Sequence, residues 1–353
     1  MDTRALFEDF LNGIIEREFT TFLGAQTYRH TDGRKTINGH KVYRNGYRTR
    51  KLNTTLGTIT LRIPRTNSIS FIPSFLERYK RNTDELNNLI KQLYVNGVST
   101  AKVNNCTKVL NVNHISKSQV SQITNHNIKS SNGQDLINKQ YDAIYIDATF
   151  EKARVRNKVQ FIAMITILGY TDKGYETIAV YPMPDESYKS YSHILNDLKY
   201  RGLRLPRLII SDYALGLINA IKVVYPNAKH QRCKVHFMRN ICQHINNKVK
   251  HKLASQIAHI WHTSNPHTAM QRANDLYQKY RNKYPKAMTC LINGIESTLT
   301  YMLFDSNELC HKRIETTNPI ERINREFKRR TKSIGIFPSV NSCYKLYMLI
   351  AEI

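Results

Sequence analysis

The sequence predicts an α/β fold over residues 141–353: a mixed sheet covered by helices and interrupted by an all-helical insertion. A mostly helical region precedes it. Three observations carry this expectation. Three β-rich runs, DAIYIDATF (142–150), VQFIAMITILGY (159–170) and ETIAVYPM (176–183), follow one another with only short polar breaks. Helix and strand patterns then alternate, and from Val235 to about Leu309 helix patterns dominate with no convincing strand.

The elements are read in order. In residues 1–30, Leu6, Phe10, Leu11, Ile14, Ile15 and Phe19 recur at spacings of three, four and seven, an amphipathic helix. A basic, glycine-punctuated stretch runs from His30 to Lys51. TITLRIP (58–64) alternates, with Ile59, Leu61 and Ile63 on one face. That is a half-buried strand stopped by Pro64, and Gly57 with the preceding RKLNTTL predicts a hairpin over about 45–65. Residues 74–95 look helical. Ser99 can cap a helix to about Leu110, a short NVNHI turn follows, and Ser116 with Gln119 forms a capping-box start for a helix reaching Ile128. The polar SSNGQ (130–134) places the main boundary, giving a region 1–129, a linker 130–140 and a second domain 141–353.

Beyond the three strands come a helix from Tyr188 to about Tyr200, a short buried strand LPRLIISD (205–212) ending in an acid, and a helix GLINAIKVVY (216–225). A short strand NAKHQRC (227–233) and the helices from Val235 follow, and one more helix opens at Asn318. Three strands, helix, strand, helix, strand, then helices is the RNase H-like order, with an insertion at about 235–315 before its last helix.

Lysine and arginine number 53 against 27 acidic residues, a net charge of +26. Such an excess repels itself, and a polyanionic partner relieves the repulsion. Nucleic acid is the first candidate and an anionic membrane the second. No apolar run approaches the ~20 residues of a spanning helix, and MDTRALFEDF lacks the features of a secretory signal. Six scattered cysteines without a C-x-x-C pair point to a reducing, cytoplasmic compartment. In so basic a chain, the two helices about 99–129 fit a DNA-reading helix-turn-helix, with Lys117 and Gln119 opening the second helix. An ordinary helical hairpin fits the pattern equally.

With few acids, their placement is informative. Asp147 lies inside the apolar strand YIDATF, sharing a face with Tyr145. Asp212 ends LIISD at its carboxyl end, where ligand sites of α/β sheets lie. An unpaired buried charge is costly, and a bound divalent metal would offset it. For Asp212 a helix cap is an equal alternative. Among the later acids Glu308, Glu315, Glu321 and Glu326, Glu321 stands third in a helix with Asn318 as cap and Pro319 first. Ile320, Ile323 and Phe327 form that helix's buried stripe, and Glu321, Arg325 and Lys328 share an adjacent face. A capping box also puts a glutamate at this position, so the spacing alone favours a cap.

Six stretches together resemble the Mutator-like transposases of bacterial insertion sequences: NGYRTRKLNTTLGTITLRIPR (45–65), NGVSTAKV (96–103), YIDATFEKARVRNKV (145–159), RGLRLPRLIISDYALGLINAI (201–221), HQRCKVHFMRN (230–240) and TTNPIERINREFKRRTKSIGIFPS (316–339). They span nearly the whole chain in the family's order. The resemblance implies an acidic DDE triad of Asp147, Asp212 and Glu321 on an RNase H-like fold, spaced by 212 − 147 = 65 and 321 − 212 = 109 residues. It implies that the chain binds the ends of an insertion sequence and cuts and joins DNA with two Mg2+ ions, Mn2+ substituting. Arg322, Arg325, Lys328, Arg329 and Arg330 would hold backbone phosphates of the terminal inverted repeats or target DNA. A homodimer on DNA, close to the nucleoid and without membrane, is expected. Cys233 and His236 match a cysteine–histidine pair of the family, with a structural or end-positioning role favoured over a zinc site completed by His230. Family members usually extend further at both ends, so a shortened copy is expected. A DNA-binding protein without catalysis and a stand-alone nuclease are the rival readings.

Overall fold

The computed structural model describes residues 2–26, 34–37, 40–125, 133–171, 173–304 and 319–351. The chain forms two compact units, Met1–Asn127 and Ile128–Ile353. Among the described residues no helix is long and apolar enough to cross a membrane. Cys106, Cys233, Cys242, Cys290 and Cys343 are free thiols, and Cys310 lies outside the described residues.

The first unit opens with α1 (Thr3–Leu23), capped by Asp2, whose carboxylate accepts the Arg4 N–H at 3.0 Å, and closed by Gly24 at φ 65°. Ile15, Phe19 and Leu23 are its buried positions, with Phe7 and Leu11 packed beside them. The expected stripe is therefore rotated, because the helix meets its neighbour along an every-fourth row. Leu6 and Phe10 are left exposed. Two short strands, β1 (Thr36–Ile37) and β2 (His40–Lys41), precede the hairpin of β3 (Arg44–Thr54) and β4 (Gly57–Thr66).

Ile59, Leu61 and Ile63 are fully buried against α1. Pro64 does not stop β4, which runs on to Thr66. The reason lies at the outer edge. There the Thr60 N–H reaches Glu8 (3.0 Å), the Arg62 N–H reaches Asn12 Oδ1 (2.8 Å), and the Asn12 amide donates to the Thr60 carbonyl (3.3 Å). Even-numbered N–H groups point away from β3, so a proline at 64 removes no ladder bond.

The helix expected over 74–95 begins only at Asp84, as α2 (Asp84–Val95) with Thr83 as cap. Upstream, Tyr79 sits at φ 65°, which a right-handed helix cannot include. α3 (Thr100–Lys108) and α4 (Lys117–Asn125) follow. The capping box forms: the Ser116 N–H donates to Gln119 Oε1 (2.8 Å) and the Gln119 N–H to Ser116 Oγ (3.2 Å). The stretch expected to extend α4 to Ile128 lies outside the described residues. Leu86, Ile90, Val103, Val112, Ile115 and Val120 form the core of these three helices.

The second unit is built on a sheet in the order β7-β6-β5-β8-β9. β5 (Ala143–Val155), β6 (Lys158–Thr171) and β7 (Gly174–Met183) form an antiparallel meander. β8 (Leu208–Ser211) and β9 (Lys229–Arg232) add in parallel, so the sheet is mixed. α5 (Tyr188–Tyr200) and α6 (Leu215–Val224) cover one face, packing on Ile144, Ile146, Ile165, Ile167 and Ile209. Ala143, Tyr145, Leu168, Tyr170, Leu208 and Ile210 face the other way. They join the core of α7 (Lys234–Cys242), α8 (Asn247–Ala258), α9 (Pro266–Tyr280) and α10 (Pro285–Gly294).

α11 (Pro319–Thr331) follows, and its expected cap Asn318 lies outside the described residues. Two elements go beyond the sequence expectation. β10 (Ile336–Phe337) pairs in parallel with Lys152 and Ala153 of β5, and α12 (Val340–Ala351) buries Cys343, Leu346 and Tyr347. β8 occupies β5 up to Ile146 and β10 resumes at Lys152, leaving residues 147–151 between them.

Candidate active site

The site begins at that gap. β5 and β8 are parallel in the register Ile144↔Ile209, Tyr145↔Ile210, Ile146↔Ser211. The next step places Asp147 beside Asp212, both on the face of Tyr145 and Ile210. Asp212 is not the cap of α6. That helix starts at Leu215 with Ala214 as its N-cap, and Asp212 Oδ1 instead accepts the Ala214 N–H at 3.2 Å across a turn held by Tyr213 at φ 76°.

Asp147 is half-buried. Its Oδ1 accepts the Ala148 N–H (3.0 Å) and its Oδ2 the side-chain amide of Asn324 (2.7 Å). Burial, and next the charge of Asp212, push its carboxyl up to about 7. The charge of Glu321 adds to this, while the two hydrogen bonds oppose it. Glu321 comes from α11, one turn before Asn324, so one helix brings a third carboxylate and the amide that fixes the first. Glu321 Oε1 accepts the Arg239 guanidinium at 2.7 Å, with His236 Nε2 at 3.8 Å. Burial, with Arg239 next, lowers the His236 imidazole below its ordinary value against the pull of Glu321 and Asp212. A fourth acid, Glu186 just before α5, feels the Asp212 charge and accepts the Tyr191 hydroxyl at 2.8 Å.

Cys233 is the N-cap residue of α7 and is buried directly after β9. Its N–H donates to the Ser211 carbonyl (2.6 Å), and burial pushes its thiol up to about 11. It thus ties the end of β8 to α7. His230 turns to Ser211 Oγ (2.8 Å) and burial takes it down to about 4. Among the described residues no three of His, Cys, Asp and Glu converge on one point ready to hold an ion. The donors nevertheless suit a hard divalent cation rather than zinc. They are carboxylates, with Asp147 raised by burial and then by the charge of its neighbours, and a bound cation would oppose that rise. Asn324 Oδ1 and His236 Nδ1 are buried here without a hydrogen-bond partner.

The basic residues of α11 divide. Arg322 and Arg325 are exposed. Arg329 is exposed and paired with Glu326 (3.2 Å). Lys328 reaches in to Glu151 (2.9 Å), and Arg330 is buried with its guanidinium on Glu326. Glu326 therefore faces these arginines and not Asp147. Ile323 is only partly buried, and Asn324 takes its place in the buried stripe with Ile320 and Phe327. Glu308 and Glu315 lie outside the described residues. In the first unit Lys117 is exposed, and Gln119 uses its oxygen in the capping box. Asn324 and Arg239 were not among the expected residues. A polar side chain on the buried stripe, three positions after Glu321, was the signal for Asn324. Arg239 had none, since its partner lies 82 residues away.

The profile described as "Transposase, Mutator family" matches residues 2–353. The chain is 33% identical over 341 residues to the transposase for insertion sequence element IS256 in transposon Tn4001 of Staphylococcus aureus, covering 95% of this chain and 85% of that protein. It is 29% identical over 353 residues to the transposase for insertion sequence element IS905 of Lactococcus lactis, covering 99% and 88%. Among solved structures, the Drosophila P element transposase strand transfer complex is similar at a TM-score of 0.43 and 10% identity, over 78% of this chain and 92% of that one.

Proposed function

Because the chain belongs to the Mutator family of transposases, we propose that Asp147, Asp212 and Glu321 form the DDE triad of an insertion-sequence transposase that cleaves DNA at the element's ends and joins it to a target. The observation that carries this reading is the β5–β8 register, which sets two acids side by side while α11 brings a third beside them. The sheet order, with a three-strand meander followed by two parallel strands, supports an RNase H-like core with α7–α10 as its insertion.

In this reading Asp147 is the acid that feels the charge of both others, and Asn324 holds its Oδ2 in one orientation. Asp147, Asp212 and Glu321 would hold the cation, Glu321 exchanging its Arg239 partner for it. Bound there, two hard divalent ions, Mg2+ with Mn2+ as substitute, supply the positive charge that activates the attacking oxygen and steadies the leaving one. Arg322, Arg325 and Arg329 stand exposed beside the site for backbone phosphates, contacts that position DNA without reading its sequence. Lys328 holds α11 to β5 through Glu151, and Arg330 pairs with Glu326 inside α11. Cys233 and His236 position the turn beneath the acids. In the first unit α3 and α4 act as a helix-turn-helix on the element ends, and two copies assemble on the DNA.

The test is strand transfer by the full chain with labelled duplexes carrying the element's ends, in Mg2+ or Mn2+. Cleavage and joining are expected from the wild type, and end binding without either from Asp147→Ala. Cutting without joining would make the chain a nuclease. Binding without either in the wild type would leave a DNA-binding protein. Joining by Asp147→Ala would remove Asp147 from the triad.

A further inference from the structure

The first unit carries a cleft of about 980 Å³ lined by Arg48, Arg50, Lys51, Arg78 and Arg81, with no acidic residue in its lining among the described residues. Three segments far apart in sequence meet there: strand β3, the loop before α2, and the α3–α4 turn with the start of α4. Their junctions are built. Arg50 donates to the carbonyls of Glu77 (2.9 Å) and Lys80, pinning the loop to β3. The Asn53 N–H donates to the Arg81 carbonyl and the Thr83 N–H to the Asn53 carbonyl, at 2.8 and 2.9 Å. The Asn113 N–H donates to Thr58 Oγ1 at 2.7 Å, tying the α3–α4 turn to the hairpin. Burial and the neighbouring charge of Arg48 lower the Arg50 guanidinium from its ordinary value, so the cations stress one another. Tyr79 is 89% exposed at φ 65°, a strained conformation for a non-glycine residue of the kind that clusters at binding sites. Gln119, from the first turn of α4, lines the same cleft.

Resting on the transposase reading, we infer that this cleft is a second DNA-contacting surface of the first unit. The β3 strand and the 77–81 loop hold the sugar-phosphate backbone of duplex DNA while the start of α4 lies against its bases. The chemistry is that of phosphate recognition. Five basic residues and no acidic one line the cleft, four of them arginines, whose planar forks match phosphate oxygens. The pinned loop keeps them in place before DNA arrives, so little ordering is required on binding. The helix pair is then one wall of a composite reader, and contacts from β3 and the loop fix its register on the duplex.

The test uses the full chain with all of Arg48, Arg78 and Arg81 changed to Gln, a short DNA duplex of arbitrary sequence, and fluorescence anisotropy across a salt series. Each phosphate left without its cation lowers the slope of log affinity against log salt by roughly 0.9, so three such phosphates should lower it by about 2.7, with affinity at least tenfold weaker at low salt. Changing the three residues to Lys should keep most of the slope. A control variant with Arg154, Lys158 and Arg204 changed to Gln, exposed cations of the second unit, removes the same charge elsewhere and should change the slope less. A thermal melt shows whether the Gln variant is folded, and if it is not, the single variants Arg48→Gln, Arg78→Gln and Arg81→Gln serve, each expected to lower the slope by roughly 0.9. An unchanged slope, or an equal fall in the control, overturns the proposal. Strand transfer by the wild type is assayed alongside. Its absence together with the expected slopes would strike the transposase reading and leave the cleft, and joining together with unchanged slopes would do the reverse.

Discussion

Asp147 gathers the main tension of the candidate site on one carboxyl. Its value of about 7 lies above the ordinary 3.8, so between these values the folded chain holds a proton that the unfolded chain releases. The stability this contributes is fully present below about pH 4 and is lost as pH rises through 7. With chelator present, Asp147→Asn should therefore melt higher than wild type at pH 8, by on the order of 1–3 kcal/mol after allowing for partial exposure, and equally near pH 4. Mg2+ should raise the wild-type melt and leave Asp147→Asn unmoved. Identical melts of the two proteins at both pH values would remove the buried-charge account. Glu321 makes a different case. Its ion pair is with an Arg239 side chain that is 61% exposed, and pairs of that kind contribute about 0–1 kcal/mol. Glu321→Gln should melt nearly as wild type while strand transfer falls on the order of 1000-fold, about 4 kcal/mol of transition-state stabilisation. Glu326→Gln should join DNA, since Glu326 faces Arg329 and Arg330. Normal joining by Glu321→Gln would send the search for the third acid elsewhere.

At the scale of elements, Glu151 is the staple. Buried on β5 four residues after Asp147, it accepts from Lys328 Nζ (2.9 Å) and Thr331 Oγ1 (3.0 Å) of α11 and from the Tyr347 hydroxyl (2.9 Å) of α12. One carboxylate thereby fixes the helix that carries Glu321 and Asn324 against the strand that carries Asp147. Glu151→Ala takes the acceptor from a half-exposed amine and from two buried hydroxyls and should cost about 3 kcal/mol in urea unfolding, roughly 1 kcal/mol for each lost hydrogen bond. Tyr347→Phe removes one donor and should cost about 1 kcal/mol. A Glu151→Ala loss no larger than that of Tyr347→Phe would mean that α11 is held by its apolar face alone. In the first unit Ser116→Ala removes half of the capping box and should cost about 1 kcal/mol, read by the same denaturation.

For the whole molecule the governing quantity is the charge of +26. Self-repulsion of that size weakens the compact state, and salt screens it. Without DNA, the melting temperature should rise with salt at low ionic strength. A short DNA duplex should raise it further, because a ligand bound only by the folded state stabilises it by mass action. A melting temperature that falls with added salt would show that attractive ion pairs outweigh the repulsion.

What the sequence determined by itself was what periodicity and composition encode. The alternation of TITLRIP, the apolar runs of β5, β6 and β8, the Ser116–Gln119 capping box and the excess of lysine and arginine are local or summed properties, and local chemistry is enough to set them. Asp147 and Asp212 were legible as candidates for the same reason, a charge inside or at the end of an apolar strand being out of place. Tertiary structure decided what depends on pairing across the chain. The every-fourth row of α1, the passage of β4 through Pro64, the late start of α2, the inward turn of Lys328 and Arg330, and the meeting of Asn324 with Asp147 all follow from which neighbour each element met. The cleft of the first unit belongs there too. Its cations come from segments whose nearness rests on long-range hydrogen bonds such as Arg50 to Glu77 and Asn113 to Thr58, and no local pattern records the partner of a residue tens of positions away.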